Sequence, residues 1–502
     1  MHALAPRLKA TFLQLASLII ISPSFASNWT GFRGPAASGV SATTAPPIVF
    51  GPTTHLAWKV ALPSGLSSPV IWQDVLFLTG TVEKNLATLC LDRLTGRKLW
   101  EQLVPVEKLE RVHRENSPAT PTPVTDGKAV YVYFGSLGLL AYDFSGKELW
   151  RKPLPLPKTF QNQGTGTSPI LAAGKLIVFV QLGNDSHLLA VDPHNGHELW
   201  RAPLPIHNNS YATPVTWQEP SGGFVGMVCG ARFTAFRLTD GQETWWINEL
   251  GRQACSTPIA LGDRLLIATA GVQGEAANIT PPPPFAEAVK LYGSTQGDTI
   301  DYDQIPPNVI FTDRQASGGQ GNMTLKNALR FLGEAQAGAK FNREQWEKIR
   351  ANLTSFATGP FNQTVVLAAR TGGKNDVTSS HVIWRETKGV PEMPSPVVWQ
   401  DRAYFIRSGG FLACRDVTTG QMIFEKRIDS PGGYYASPVA AQGRVYVASD
   451  RGTITVFQAE RELVVLARNE IGEPIWASPA LAQKNLYVRS SRHLWSFSDT
   501  AP

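Results

Sequence analysis

The fold is decided by the stretch Asp92-Arg93-Leu94-Thr95-Gly96-Arg97-Lys98-Leu99-Trp100. Asp92 can accept hydrogen bonds from the backbone N–H groups of a tight turn, and Gly96 tolerates the positive φ that such a turn requires. Trp100 then stands on the next strand, where a large aromatic side chain fills the gap between adjacent sheets. The same turn and aromatic recur at residues 143–146 with Trp150, 192–196 with Trp200, 239–241 with Trp245, and 419–420 with Phe424.

A second repeated element is a Ser-Pro or Thr-Pro step followed by an apolar residue. Each step precedes a short run of β-branched or aromatic residues bounded by turn residues, which predicts a strand. Most intervals between the steps are in the forties, and this period indicates a propeller or a similar array. The eight steps begin at Ser68, Thr122, Ser168, Thr213, Thr257, Ser395, Ser437 and Ser478.

The ends of the chain set the number of blades. A single four-stranded sheet cannot bury both of its faces, so neighbouring sheets in a ring bury them for one another. The eighth unit ends near Trp495 without an outer aromatic strand, whereas residues 56–60 form an unassigned strand that carries Trp58. Adding this strand to the last blade removes two open edges. We predict an all-β, eight-bladed propeller, in which residues 463–466 serve as a weak outer strand of blade 7.

One interval is much longer than the others, because 138 residues separate Pro258 from Pro396. Only one Ser/Thr-Pro step opens this interval and only Trp384 closes it. The interval therefore predicts a single blade, the fifth, with an insertion at 272–359. Four consecutive prolines are followed there by helical stretches at 325–332 and 344–353.

Two segments of the insertion, 293–304 and 334–345, have the length and the flanking helices of EF-hand loops. Ile300 and Phe341 stand at the apolar eighth position of each loop. Calcium loops need carboxylates at positions one, three and five and a bidentate Glu at position twelve, which is Gln in both segments. We predict a degenerate EF-hand pair without strong calcium binding. The alternative is an unrelated helical insertion.

The N-terminus predicts export. Two basic residues precede an apolar segment at 12–21, which is too short to span a bilayer, and small residues stand before a cleavage site after Ala26. We predict a signal peptide at 1–26 and a periplasmic or secreted propeller over 27–502. An uncleaved anchor is the alternative, and no other stretch is apolar enough to cross a membrane.

Charge and residue spacing exclude several classes of function. The chain has 46 basic and 40 acidic residues and a net charge of +6, without a dense Lys/Arg block, so nucleic acid is not an expected partner. The four cysteines and nine histidines match no metal-binding pattern, and no catalytic Ser/His/Asp context is recognisable. Cys229 and Cys255 could pair, although buried free thiols are the favoured interpretation. We predict no catalytic and no metal-binding residues.

Polar and aromatic residues just before the innermost strands should line one mouth of the ring, where several blades converge. They are the candidates for binding a ligand or partner, and hydrogen bonding within the loops is the structural alternative for each. The candidates are His113, Asn116, Gln163, Tyr211, Arg252, Glu392, Tyr434, Tyr435 and Trp476.

The repeat resembles the pyrroloquinoline-quinone-like (PQQ-like) propeller family over nearly all of the chain outside the insertion. The form Asp-x-x-Thr-Gly-x-x-x-Trp at 92–100 carries this resemblance. Residues 28–35 and 113–116 also resemble an exported bacterial subgroup, which often carries EF-hand-like insertions and whose biochemical role is generally not known.

The resemblance implies two possible roles. Quinoprotein dehydrogenases oxidise alcohols or sugars with the quinone and calcium, and many alcohol-oxidising members stack the quinone against a disulfide of adjacent cysteines. This chain has no adjacent cysteines and no convincing Glu, Asn and Asp set for calcium and the catalytic base. The propeller of the outer-membrane β-barrel assembly machine is similar in repeat and blade number, and it is a cofactor-free scaffold. This chain departs from it by the insertion and by lacking a lipidation Cys.

We therefore expect an exported, monomeric, non-catalytic scaffold without a cofactor. It would bind a protein or another envelope component through the ring mouth and the insertion. A PQQ-dependent alcohol or sugar dehydrogenase is the second interpretation, and a calcium-responsive adhesion or carbohydrate-binding module is the third.

Overall fold

Eight sheets, each with four antiparallel strands, follow one another along the chain and form the blades of a ring. The sheets of blades 4 and 7 each gain a short fifth strand that runs parallel to its neighbour. The computed structural model describes residues 28–159, 162–204, 210–271, 278–293, 299–313, 323–331, 335, 337–358 and 364–499. First strands of five neighbouring pairs of blades touch, including those of blades 8 and 1, and these strands lie nearest the ring axis. The predicted eight-bladed β-propeller is confirmed.

Blades 1 to 4 are built from consecutive strands. Blade 1 contains Val70–Trp72, Val75–Val82, Asn85–Asp92 and Lys98–Pro105; blade 2 contains Val124–Thr125, Ala129–Phe134, Gly138–Asp143 and Glu148–Pro153; blade 3 contains Ile170–Ala172, Lys175–Val180, His187–Val191 and Glu198–Pro203; blade 4 contains Val215–Glu219, Gly222–Cys229, Arg232–Arg237 and Glu243–Ile247.

Blades 5 and 8 are the two that combine distant parts of the chain. Blade 5 contains Ile259–Leu261, Arg264–Thr269, Val365–Arg370 and Val382–Glu386; blade 6 contains Val397–Trp399, Arg402–Arg407, Phe411–Asp416 and Met422–Arg427; blade 7 contains Val439–Ala441, Arg444–Ala448, Thr453–Gln458 and Val465–Glu470; blade 8 contains Ala480–Ala482, Asn485–Arg489, His493–Ser498 and, as its outer strand, Leu56–Ala61. The predicted closure by the N-terminal strand is confirmed.

The hydrophobic core lies between the blades. Each cluster of buried apolar side chains in the ring draws on neighbouring sheets, as where Tyr131 of blade 2 packs in one cluster with Val178 of blade 3. Alternate residues of a strand point to opposite faces of its sheet. In the ring, both faces of each blade are covered by the sheets of the neighbouring blades. The strands are therefore apolar on both faces and do not alternate between apolar and polar residues.

The outer aromatics dock onto the turn of the next blade. Trp58 of blade 8 lies against Gly96 of blade 1 and donates its Nε1–H to the carbonyl of Arg93 at 3.1 Å. A Cβ at Gly96 would lie 2.6 Å from the indole, so glycine is required there for space as well as for its φ of +72°. The same indole-to-carbonyl bond joins Trp100 to Phe144 (2.9 Å), Trp150 to Pro193 (2.7 Å), Trp200 to Leu238 (3.1 Å) and Trp384 to Val417 (2.9 Å).

The insertion lies between the second and third strands of blade 5, which pair with each other as antiparallel neighbours. Its described part contains the helices α1 (Phe285–Tyr292), α2 (Leu325–Phe331) and α3 (Arg343–Thr358). Its short strands are Asn278–Ile279, Ile300–Asp301, Ile310–Asp313, Met323–Thr324 and Lys340–Phe341.

The insertion has a hydrophobic cluster of its own, in which Trp346 of α3 is fully buried with Phe285 of α1 and Leu329 of α2. Helix α1 begins directly after the proline run and ends just before Gly293, where the EF-hand-like interpretation expects a flanking helix. Both predicted boundaries, residues 272 and 359, lie outside the described residues.

The outer tryptophan of blade 4, Trp245, does not make, with any described residue, the indole-to-carbonyl bond that the other docking tryptophans make. In blade 5, the connection before the outer strand is longer. Within this connection Asn375–Asp376 runs parallel to the outer strand of blade 4, and the short helix α4 (Thr378–His381) follows. Trp245 is fully buried against Trp217 and Phe233, with ring centroids 5.7 and 5.6 Å apart. Its Nε1–H has no hydrogen-bond partner within the described part of the chain.

Candidate functional site

A cavity of about 240 Å³ lies on the ring axis, at the end where the connections between blades enter the first strands. All eight connections contribute to its lining, from Leu66 before blade 1 to Trp476 before blade 8. Phe32, from the N-terminal segment, lines it as well. The cavity therefore belongs to the whole ring and not to one blade.

A fixed position in the repeat supplies the wall of the cavity. In every blade, the residue two places before the Ser or Thr of the Ser/Thr-Pro step lines it. Because these positions are equivalent in structure, they face the axis from eight directions, and all but Gly166 present a side chain to it. The eight residues are Leu66, Thr120, Gly166, Tyr211, Cys255, Met393, Tyr435 and Trp476.

Six of the nine predicted mouth residues line the cavity. Whether they bind a ligand stays a prediction, but the structure brings them together around one space. They are His113, Asn116, Gln163, Tyr211, Tyr435 and Trp476.

The other three predicted residues do not line the cavity. Tyr434 is buried in the core between blades 6 and 7, and its hydroxyl donates to the carbonyl of Ser430 at 2.7 Å. It stands one residue before the cavity-facing position and points the other way. Arg252 and Glu392 lie on connections that contribute to the cavity through neighbouring residues, and Glu392 is exposed.

The Ser or Thr of each repeated step links one blade to the next. The backbone N–H of Ser68 donates to Oγ1 of Thr122 at 3.0 Å, and the same bond recurs blade by blade until Ser437 donates to Oγ of Ser478 at 2.9 Å. Seven consecutive bonds of this kind measure 2.9 to 3.2 Å. A buried N–H needs an acceptor, and the next hydroxyl provides it. Six of these residues also line the cavity: Ser68, Thr122, Ser168, Ser395, Ser437 and Ser478.

The N-terminal segment, residues 28–41, crosses the centre of the ring. Trp29 bridges to the first strand of blade 1, Thr30 accepts a bond from the backbone of blade 2, and Val40–Ser41 pairs parallel with the first strand of blade 7. Phe32 reaches the cavity from this segment. The segment therefore covers one side of the cavity.

Arg33 anchors the N-terminal segment at the axis. Its buried guanidinium donates to the carbonyls of Ser395 (3.1 Å) and Pro396 (2.5 Å) in the connection to blade 6. It also donates to the carbonyls of Ala37 (3.0 Å) and Ser38 (2.9 Å) in its own segment. Burial lowers the pKa of Arg33 to about 9. Carbonyl dipoles, not a carboxylate, hold this cation.

The mouth loop, which we define as residues 106–123 between blades 1 and 2, lies along the rim of the cavity. Asn116 donates to the backbone carbonyl of Gln163 at 2.8 Å, and the hydroxyl of Tyr211 donates to Oε1 of Gln163 at 2.5 Å. Burial and a hydrogen bond to Glu115 raise the pKa of Tyr435, which precedes blade 7. The mouth loop thus connects blades on different sides of the ring.

A buried carboxylate fixes the mouth loop to the connection before blade 3. Oε2 of Glu110 accepts from both the backbone N–H and the hydroxyl of Thr165 at 2.9 Å. Oε1 of Glu110 is buried without a hydrogen-bond partner among the described residues. Burial raises the pKa of Glu110 to about 7, against the two hydrogen bonds from Thr165, which lower it.

The lining does not suit the quinone and calcium that the family resemblance implies. Pyrroloquinoline quinone carries three carboxylates, and the described lining of the cavity includes no Arg or Lys to pair with them. Its one carboxylate, Glu115, is 3.4 Å from the guanidinium of Arg114 and is engaged with Tyr435. All four cysteines are free thiols, and the described residues contain no group of three or more His, Cys, Asp or Glu able to hold a metal.

The EF-hand-like segments keep one geometric feature of a loop pair. Ile300 and Phe341, the two position-eight residues, pair as antiparallel neighbours. Gln345, at position twelve of the second segment, exchanges backbone-to-side-chain bonds with Asn342 at 2.9 and 3.0 Å. This reciprocal bonding caps α3, so the amide serves the start of the helix. Residues 294–298, Glu334 and Gln336 lie outside the described residues.

Within the described residues, no helix is both long enough and apolar enough to cross a membrane. The predicted signal peptide at 1–26 lies outside those residues.

Comparison with known proteins gives one family. The family model described as outer membrane protein assembly factor BamB matches residues 42–180 and 350–500, which together exceed half of the chain. The gap in the match, 181–349, spans the last two strands of blade 3, all of blade 4, the first two strands of blade 5 and most of the insertion. Among curated proteins, none matches this chain at a significant level.

Solved structures share the fold at low sequence identity. BamB from Moraxella catarrhalis superposes with a TM-score of 0.51 at 10% identity, over 88% of this chain and 99% of that one. A europium-containing methanol dehydrogenase gives 0.51 at 12% identity, over 94% and 98%. The quinohemoprotein alcohol dehydrogenase ADHIIG from Pseudomonas putida HK5 gives 0.50 at 12% identity, over 95% and 81%. These likenesses show the propeller fold alone.

Proposed function

The chain belongs to the family of the outer membrane protein assembly factor BamB, and on that premise we propose that it is a non-catalytic scaffold of the bacterial envelope. It binds a protein partner at the mouth of the ring. The family fits this role at a general level, and the partner and a periplasmic location are part of the proposal.

One observation carries the proposal: the mouth is a built surface with an exposed polar rim and an interior in which Glu115 is the one described carboxylate and no Arg or Lys is described. Two residues of the mouth loop fix it to the connection before blade 3. Glu110 accepts a hydrogen bond from Thr165, and Asn116 donates one to the carbonyl of Gln163. His113 and Glu392 remain exposed on this rim. Fixed loops on a rigid ring lose little conformational entropy on binding, which favours recognition of a partner.

The oxidoreductase alternative draws on the shared fold with alcohol dehydrogenases, but fold does not determine function. The described lining offers a tricarboxylate no cationic partner, and the four cysteines are free. Absorbance and calorimetric titration of the purified protein with pyrroloquinoline quinone, with and without calcium, tests this alternative. Saturable micromolar binding would support a dehydrogenase, and we expect no heat and no spectral change.

Site-specific photo-crosslinking in the envelope tests the scaffold role. A photoreactive amino acid replaces His113 or Glu392 on the rim. A control replaces Lys484, which is exposed in the hairpin at the far end of a first strand. We expect adducts of the same mass from both rim positions and none from the control. Absence of adducts at the rim, or equal adducts at all three positions, would overturn the proposal.

A further inference from the structure

The hydroxyls around the cavity have unused hydrogen-bond donors. In the bonds formed within the described part of the chain, the oxygens of Thr122, Ser168 and Ser437 accept from backbone N–H groups and none of them donates. A hydroxyl also carries one O–H donor. Six such residues line one cavity, so an occupant there meets several donors at once.

Amide groups add both donors and acceptors to this lining. Gln163 and Asn116 are already fixed by neighbouring loops, and Gln253 lies on the connection before blade 5. The amide NH₂ of Gln163 donates to no group in the described structure, since Tyr211 uses only its Oε1. Glu115, which is paired with Arg114 and hydrogen-bonded to Tyr435, is the one carboxylate of the described lining. The other polar groups are hydroxyls, amides and the imidazole of His113, so the lining is rich in hydrogen-bonding capacity.

Half-buried aromatic rings form another part of the wall. Tyr211 and Trp476 stand at the equivalent position of their repeats, and Phe32 enters from the N-terminal segment. Trp476 is not one of the docking tryptophans, because it lies on a connection and not on an outer strand. Its ring is available to an occupant.

These features distinguish between classes of ligand. An anion would meet no Arg or Lys in the described lining. A plain aromatic side chain would fit the rings but would leave the hydroxyl donors unpaired, and each unpaired buried group is costly. A neutral ring that carries several hydroxyls satisfies both parts of the wall. The volume of about 240 Å³ is slightly below the roughly 300–1,000 Å³ of pockets for drug-sized ligands and suits one ring.

We propose that the axial cavity binds a single neutral, polyhydroxylated ring, the chemistry of an uncharged monosaccharide unit. This inference rests on the proposed role of the ring mouth as the binding face, and it names the small ligand of that face. Because Phe32 and the N-terminal segment cover one side of the cavity, the ring enters as the end of a chain or as a free unit.

Calorimetry and ligand-observed NMR on the full purified protein test this inference. The probes are glucose, galactose and N-acetylglucosamine as neutral rings, glucuronate as an acidic ring, p-cresol as an aromatic side-chain mimic, and pyrroloquinoline quinone. We expect saturable binding of at least one neutral sugar and at least tenfold weaker binding of the other three probes. Equal or tighter binding of glucuronate, p-cresol or the quinone, or no binding of any sugar, would overturn it.

Variants locate the site. Trp476→Ala should weaken binding of the sugar at least tenfold, and Met393→Trp should abolish it by filling the cavity. Trp399→Ala is the matched control, because Trp399 is a half-buried tryptophan of a first strand that does not line the cavity. It should leave the dissociation constant within twofold. If Trp476→Ala and Trp399→Ala raise the dissociation constant equally, the site is not in the cavity. If Trp476→Ala does not fold, the loss of sugar binding in Met393→Trp still tests this location.

The two proposals fail in different ways. If rim crosslinks form and no sugar binds, only the ligand inference is wrong. If a sugar binds in the cavity and rim crosslinks are absent, only the scaffold role is wrong.

Discussion

Replacement of Gly96 by Ala should destabilise the protein at the contact that closes the ring. Gly96 has a φ of +72°, and an added Cβ would lie 2.6 Å from the indole of Trp58. The left-handed backbone alone costs an alanine about 1–2 kcal/mol. Displacement of a packed indole adds about 1–3 kcal/mol, the usual range for overpacking. We expect Gly96→Ala to lower the free energy of unfolding by about 2–5 kcal/mol in urea titrations.

Gly174→Ala is the matched control for this prediction. Gly174 has a φ of +71°, and an added Cβ there would meet nothing within 4 Å. This variant should lose only the backbone contribution of about 1–2 kcal/mol. The difference between the two variants measures the docking of Trp58. If both variants lose the same free energy, the indole does not depend on the missing Cβ and our account of ring closure is wrong.

Three further predictions follow from buried charge and from the insertion. Burial raises the pKa of Glu110 from 4.5 to about 7, so the folded state binds more protons than the unfolded state between these values and loses stability as pH rises through them. Relative to Glu110→Gln, the wild-type protein should lose up to about 3 kcal/mol in urea titrations between pH 4.5 and pH 7, and a pH-independent difference would contradict this. Arg33→Met should lower the free energy of unfolding in urea titrations by about 1–3 kcal/mol for each buried carbonyl that it leaves unpaired, and Arg33→Lys should not restore the loss. Unchanged proteolysis of the N-terminal segment would contradict the anchor. Deletion of residues 272–359 should leave a propeller that unfolds cooperatively in calorimetry, because the insertion has its own hydrophobic cluster around Trp346. Loss of cooperative unfolding would refute the interpretation of this segment as an independent insertion.

The repeat allowed the propeller to be predicted because its signals are local. The Asp-to-Trp turn and the Ser/Thr-Pro step each occur within a few residues, and the unassigned strand with Trp58 required closure at blade 8. The pairing of Asn375–Asp376 with blade 4 was not predictable, because it depends on a long connection that carries no strand signal.

The site was predicted in part, and the reason lies in one position of the repeat. Tyr435 and Trp476 were identified by their polar or aromatic character, whereas Leu66, Met393 and Cys255 were missed because they look like ordinary core residues. The offset from the Ser/Thr-Pro step would have found all of them. Strand geometry explains why Tyr434 was wrongly expected at the cavity. It stands next to the cavity-facing Tyr435, and neighbouring side chains near a strand point to opposite sides.

The role of the N-terminal segment was not predicted, because nothing local in a sequence shows what a buried arginine will contact. Residues 28–35 were noted only for their resemblance to an exported subgroup. The carbonyl partners of Arg33 at Ser395 and Pro396 are more than 360 positions away in the chain. Only the closed ring brings them together.

That distance along the chain has a consequence for biogenesis. Arg33 is synthesised early, and Ser395 follows 362 residues later. At about 5–20 residues per second, the interval between them is roughly 20–70 s. During this time the first blades have no eighth blade beside them and the axis has no anchor. The nascent protein therefore exposes an unfinished edge until its last strands arrive, and this interval is when a chaperone would be needed most.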